Sequence, residues 1–123
     1  MLIVEVLRLS PEQKSVIDSL NPLIHSLRMP DNKSVMITRH FASKMHQSGV
    51  RPSKVAAMLR KAIRYHSSRI EKMQPLARVV VRARDRSGIV LAKAADNSSN
   101  GWILVTYDPT LNNERSPVPE LPV

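Results

Sequence analysis

His40, Lys44, Arg60, His66 and Glu12 are the side chains of this sequence whose types and spacing suit proton transfer beside a phosphate. Cleavage of RNA without a metal uses the RNA's own 2′-OH as nucleophile. The protein must take that proton, return one to the leaving 5′-oxygen and stabilise the added phosphate charge. A histidine that titrates near neutrality suits the first two tasks, and Lys or Arg suits the third. His40 and Lys44 are four residues apart and would share one helix face. Bland roles stand beside these. Glu12 falls where a helix start favours an acid, and His66 where a helix end favours a cation.

Charge supports a polyanion partner. The 123-residue chain carries 19 Lys and Arg against 10 acids, a net charge of +9. Between Arg39 and Lys93 there are fourteen Lys and Arg against Glu71 and Asp85 alone, a balance of +12, so the flanks sum to −3. A basic centre of this density fits RNA first, with duplex DNA or an acidic partner protein as alternatives. Arg39, Arg51, Lys54, Arg64, Arg78, Arg82 and Arg84 are the candidate phosphate contacts; Trp102, at a strand start, reads first as core or sheet-edge packing, with a base-stacking platform as the alternative.

Other chemistries lack their residues. With no cysteine there is neither a disulfide framework nor a thiolate metal site, and the four His form no zinc-binding pair. No phosphate-binding glycine loop, dinucleotide fingerprint or nucleophile-elbow motif is present, and no cofactor is expected. No apolar run reaches membrane-spanning length, and Met1–Leu9 does not read as a secretory leader. The expectation is a cytoplasmic protein without a membrane partner.

The elements that must position these residues read as follows. Leu2–Leu9 suggests a strand. Ser10-Pro11-Glu12-Gln13 is a capping-box helix start, and Val16, Ile17, Leu20, Leu23, Ile24 and Leu27 give that helix one apolar face, with a kink or break expected at Pro22. Ser34–Thr38 is short and extended. A helix follows over His40–Gln47, ended by Gly49, and another begins near Pro52 with Ser53 close to its cap. Val55, Met58, Leu59, Ala62 and Ile63 are its buried stripe, and it can run to Lys72. Leu76–Arg84, Ile89–Ala95 and Trp102–Tyr107 are strands, joined by a turn at Asp85–Gly88 and a polar loop at Asp96–Gly101. Alternation puts Arg78, Arg82 and Arg84 on one strand face. Residues 1–109 form one domain, and 110–123 read as a proline-rich, disordered tail.

The stretch Ile37–Ile63 resembles two families. Ile37, Arg39-His40, Lys44, Gly49-Val50, Val55 and Leu59 are similar to a pattern shared by small endoribonucleases and toxins of the RegB, BrnT and RelE-like kind, and Ile103–Pro109 suits their element order. The likeness covers about half the chain. It implies an RNA-binding, metal-independent endoribonuclease, toxin-like or phage-encoded, with His40 catalytic and Glu12 a counterpart of an N-terminal Glu. Two positions depart from it. Lys44 stands where RegB-like sequences have Arg, and Arg60 stands where they have a second His, leaving His66 as a substitute. The segment Phe41–Arg60 also resembles the helix-turn-helix of transcription regulators, with Gly49 in the turn and Arg51, Ser53, Lys54 and Arg60 toward DNA. A third reading is a non-catalytic basic protein that inhibits an acidic host partner.

The fold expected is α+β: N-terminal helices followed by a three- to four-stranded antiparallel sheet of RelE-like or RegB-like type.

Overall fold

The computed structural model describes residues 9–98, 100–114 and 118–123. In chain order these form α1 (Pro11–His25), β1 (Val35–Ile37), α2 (Arg39–Ser48), α3 (Pro52–Glu71), β2 (Arg78–Arg82), β3 (Gly88–Lys93), β4 (Trp102–Asp108) and β5 (Glu120–Pro122). The strand expected at Leu2–Leu9 lies, but for Leu9, outside the described residues.

Each helix starts for a local reason. Ser10 Oγ accepts from the Gln13 N–H and Gln13 Oε1 accepts from the Ser10 N–H, both at 3.0 Å, so two end donors of α1 are satisfied reciprocally. Of the kink or break expected near Asn21, the break does not occur: α1 runs through Pro22 to His25. Pro22 is exposed, so water can serve the carbonyl that loses its partner. Thr38 caps α2, its Oγ1 accepting from the Phe41 N–H at 3.0 Å and donating to the Leu104 carbonyl at 2.8 Å. That second bond occupies the edge of β4 just where β1 stops. Gly49 closes α2 in the left-handed region at φ 70°, a conformation glycine reaches without steric penalty. Arg51, not Ser53, is the cap residue of α3, with Pro52 at its first position.

The sheet has five strands in the order β1-β4-β3-β2-β5. The central pairs β4–β3 and β3–β2 are antiparallel, whereas β1–β4 and β2–β5 are parallel. The α+β class matches the expectation, but the sheet is mixed and larger than expected. β5 is three residues long, too short for alternation to reveal, whereas β1 falls in the extended segment expected at Ser34–Thr38 and joins the sheet parallel to β4. β5 also places an ordered strand inside the segment read as a loose tail, and its Leu121 is fully buried.

The helices cover one sheet face. Leu20, Ile24, Phe41, Met45, Val55, Met58, Leu59, Ala62 and Ile70 pack with Val79, Val81, Ile89, Leu91, Trp102, Leu104, Tyr107 and Leu121 in one core. Trp102 therefore belongs to the core, 1 % exposed, with its Nε1 donating to Asp31 Oδ1 at 2.9 Å, and offers no stacking platform. On the opposite face the chain after β4 crosses back toward β5. Leu111 sits against Gly88, where an added Cβ would come 2.9 Å from the Leu111 Cβ.

One irregularity in β4 decides the site. The register with β3 shifts between Val90 and Leu91, so that Val90 pairs with Thr106 and Leu91 with Leu104, leaving Val105 over. Alternation alone would send Thr106 and Asp108 inward behind Trp102 and Leu104. The extra residue reverses the parity. Tyr107 enters the core instead, and Thr106 and Asp108 stay half-buried at its margin.

Candidate nucleic-acid interface

Gly88 pairs with Arg82 on one side and Asp108 on the other, and Pro122 lies opposite Arg82. The turn at residues 83–87 and the last residues of β4 and β5 thus share one end of the sheet. Most of the candidate residues gather there, in separate groups.

His40 and Lys44 form the first group. His40 Nε2 is 3.1 Å from Thr106 Oγ1, and Lys44 Nζ is 3.5 Å from Asp108 Oδ2. The match is geometric. Four residues of helix rise about 6 Å and two residues of strand about 6.6 Å, so two successive pairs register. A hydroxyl can donate or accept, so the contact leaves either His40 tautomer open. Glu12 is exposed in the first turn of α1. Its neighbour Gln13 donates to Ser43 Oγ at 2.7 Å and to the Arg39 carbonyl at 3.5 Å, on the stripe of α2 next to His40 and Lys44. Glu12 makes no hydrogen bond or ion pair among the described residues.

The second group lies along α3 and the turn. Lys54 Nζ bonds Asp85 Oδ2, and Asp85 Oδ1 also accepts from the Ser87 N–H at 3.0 Å and from the Ser87 hydroxyl. The bond to Asp85 raises the Lys54 pKa, while bonds from Lys54 and Ser87 hold the Asp85 carboxyl well below its ordinary range. Next along the same stripe come Ala57, Met58, Lys61 and Tyr65. With Ala83, Arg84, Asp85 and Val123 they line an open groove of about 520 Å³. A second hollow of about 530 Å³ continues past Tyr65 over Arg82, Ala83, Arg84, Pro122 and Val123. Arg60 and Arg64, four apart, make the neighbouring exposed stripe of α3. Arg51 is exposed at the helix start. Arg60, Lys61 and Arg84 have no acidic partner among the described residues, whereas Asp85, Asp108 and Glu120 each have a basic one.

Two candidates have structural employment. Arg82 donates from Nε and Nη2 to the Glu120 carboxylate at 3.2 and 2.9 Å, and from Nη1 to the carbonyls of Arg86 and Leu111 at 2.9 and 2.7 Å. The Glu120 bond raises the Arg82 pKa; bonds from Arg82 and Asn113 lower that of Glu120. His66 interrupts α3 with non-helical dihedrals, φ −129° and ψ 23°, and its Nε2 lies 2.8 Å from the Pro122 carbonyl. A carbonyl only accepts, so that nitrogen carries the proton and ties α3 to β5.

No basic cleft forms between the Arg78/Arg82 face of β2 and the helices. Val79 and Val81 face the helices, so period two turns Arg78 and Arg82 away. Arg78 also stands about 13 Å up β2 from Arg82, at the far end of the sheet. Lys61 and Tyr65 line the groove but are not among the sequence candidates. The signal for them was the α3 stripe at 54, 58, 61 and 65, which alternates charged with apolar types.

Among the described residues no helix is long and apolar enough to cross a membrane. Comparison with models of protein families, with curated proteins and with solved structures gives no match for this chain.

Proposed function

We propose that this protein binds RNA along α3 and the adjoining 83–87 turn. The observation that carries this reading is a set of unpaired cations: Lys61 and Arg84 line the groove and Arg60 lies on the stripe beside it, none with an acidic partner among the described residues, while Asp85 of the same groove is held by Lys54. Cations in that condition attract phosphates and release counterions on binding. A single strand suits the site better than a duplex. The three-residue link between α2 and α3 fits a helix-turn-helix, but Lys54, in the first turn of α3, is held by Asp85 of the turn beside it. A recognition helix enters the major groove with that first turn. The test is fluorescence anisotropy with a labelled unstructured RNA, a duplex DNA of the same sequence and polyglutamate as competitors. RNA should win over duplex DNA, and polyglutamate should compete poorly. Preference for the duplex would favour the regulator reading, and efficient competition by polyglutamate the acidic-protein reading.

Metal-independent cleavage of the bound RNA, as in a toxin-like or phage-encoded endoribonuclease, is a second reading. It rests on His40, exposed and oriented by Thr106 beside Lys44. His40 would take the 2′-OH proton and Lys44 would face the phosphate. Glu12 and Arg60 are the remaining candidates for the second proton transfer and for charge stabilisation. The Nε2 of His66 is already bonded to Pro122, which weakens its claim.

A further inference from the structure

Tyr65 is 60 % exposed, although α3 buries Val55, Met58, Leu59, Ala62 and Ile70. An exposed ring is ordinary by itself, and a functional explanation has to come from what surrounds it. Its surroundings supply one. The Arg64 guanidinium carbon lies 5.9 Å from the ring centroid, within cation–π range. The ring borders both hollows at this end of the molecule, and the two share Tyr65, Ala83, Arg84 and Val123. Ala83 and Val123 are half-buried and pack against the core, so they give an apolar floor. Arg84 contributes an exposed planar cation. Lys61, one turn before Tyr65, stands about 6 Å back along the helix axis on the same stripe.

We propose that Tyr65, Arg84 and the Ala83–Val123 floor form a nucleobase subsite that takes one unpaired base of a single-stranded RNA. This rests on the RNA-binding reading above and adds what the site recognises. A base stacks on the Tyr65 ring, Arg84 lies over or beside it, and Lys61 meets the phosphate of the same nucleotide. Aromatic and guanidinium planes stack with any base, so the subsite selects strandedness and not sequence. A paired base is already stacked within its helix and cannot enter.

The experiment compares an unstructured RNA with the same sequence in an RNA duplex, by anisotropy, for the wild type, Tyr65→Phe, Tyr65→Leu and Lys61→Ala. Tyr65→Leu should weaken single-strand binding about tenfold or more. It should leave duplex binding and the salt dependence unchanged, because no phosphate contact is lost. Tyr65→Phe should stay within about twofold of the wild type, since the ring face is kept. If Tyr65→Leu binds single strands like the wild type while Lys61→Ala is weakened, the base subsite is wrong and the RNA-binding reading stands. Equal weakening of single strand and duplex by Tyr65→Leu also overturns the subsite. If the wild type binds neither form, both inferences fall together.

Discussion

The Arg82 guanidinium holds the Glu120 carboxylate by two atoms, Nε at 3.2 Å and Nη2 at 2.9 Å, across the β2–β5 pair. Its third nitrogen bonds two carbonyls, so the whole group fastens β5 and the segment after β4 to the sheet. Arg82→Lys keeps the charge but loses the fork. The expected loss is about 1–2 kcal/mol, reduced by the solvent that Glu120 reaches. Amide exchange at Val80 and Val123, whose N–H groups bond across this pair, should accelerate more than exchange in β3. Uniform acceleration would mean that Arg82 is not a local fastener.

Leu121 gives a packing test of the same strand. It is fully buried in the common core. Leu121→Ala should lower stability by about 2–4 kcal/mol, read by denaturant unfolding. A loss below about 0.5 kcal/mol is what a surface position gives, and would show that β5 does not belong to the core.

Acid should weaken the clasp between α3 and the 83–87 turn. The folded-state pKa of Asp85 lies below its ordinary 3.8, so its stabilisation is complete above that value and fades as the pH falls toward the folded-state pKa. Both partners reach solvent, which limits the contribution to about 1 kcal/mol. Asp85→Asn should therefore be less stable than the wild type at neutral pH, with the gap narrowing below pH 3.8. Unfolding curves at neutral and strongly acidic pH measure this. An unchanged gap would contradict it.

The cleavage reading stands or falls on His40. RNA incubated with the protein in EDTA should be cut by the wild type and left intact by His40→Ala, which should still bind. Thr106→Val should reduce the rate less than His40→Ala, because it frees the ring without removing it. No cleavage by the pure wild type would leave RNA binding as the function.

Much of this architecture was legible in the residues. Ser10 and Gln13, Gly49, Pro52 and the stripe from Val55 to Ile63 are local signals, and α1, α2 and α3 begin or end on them. Arg86 shows where local signals mislead. The left-handed residue of the 83–87 turn is Arg86, at φ 75°, although Gly88 was available; Gly88 instead clears space for Leu111. The shift at Val105 was invisible because it depends on pairing with β3, and it sets the parity of Thr106 and Asp108, which meet His40 and Lys44. Arg82 looked like a phosphate clamp because Glu120, thirty-eight residues away, gave no sign of meeting it. The exposure of Tyr65 follows from which face α3 buries, and helical spacing alone leaves a residue at the stripe's edge undecided.

The salt dependence of RNA binding tests the central claim most directly. Affinity of an unstructured RNA is measured by anisotropy from low to moderate salt for the wild type and for Arg60→Ala/Lys61→Ala/Arg84→Ala. For single strands each phosphate contact contributes about 0.7 to the slope of log affinity against log salt. The triple variant should bind more weakly at every salt concentration, with a slope shallower by about 2. A wild type that binds no RNA at low salt, or a triple variant with unaltered affinity and slope, would contradict the account.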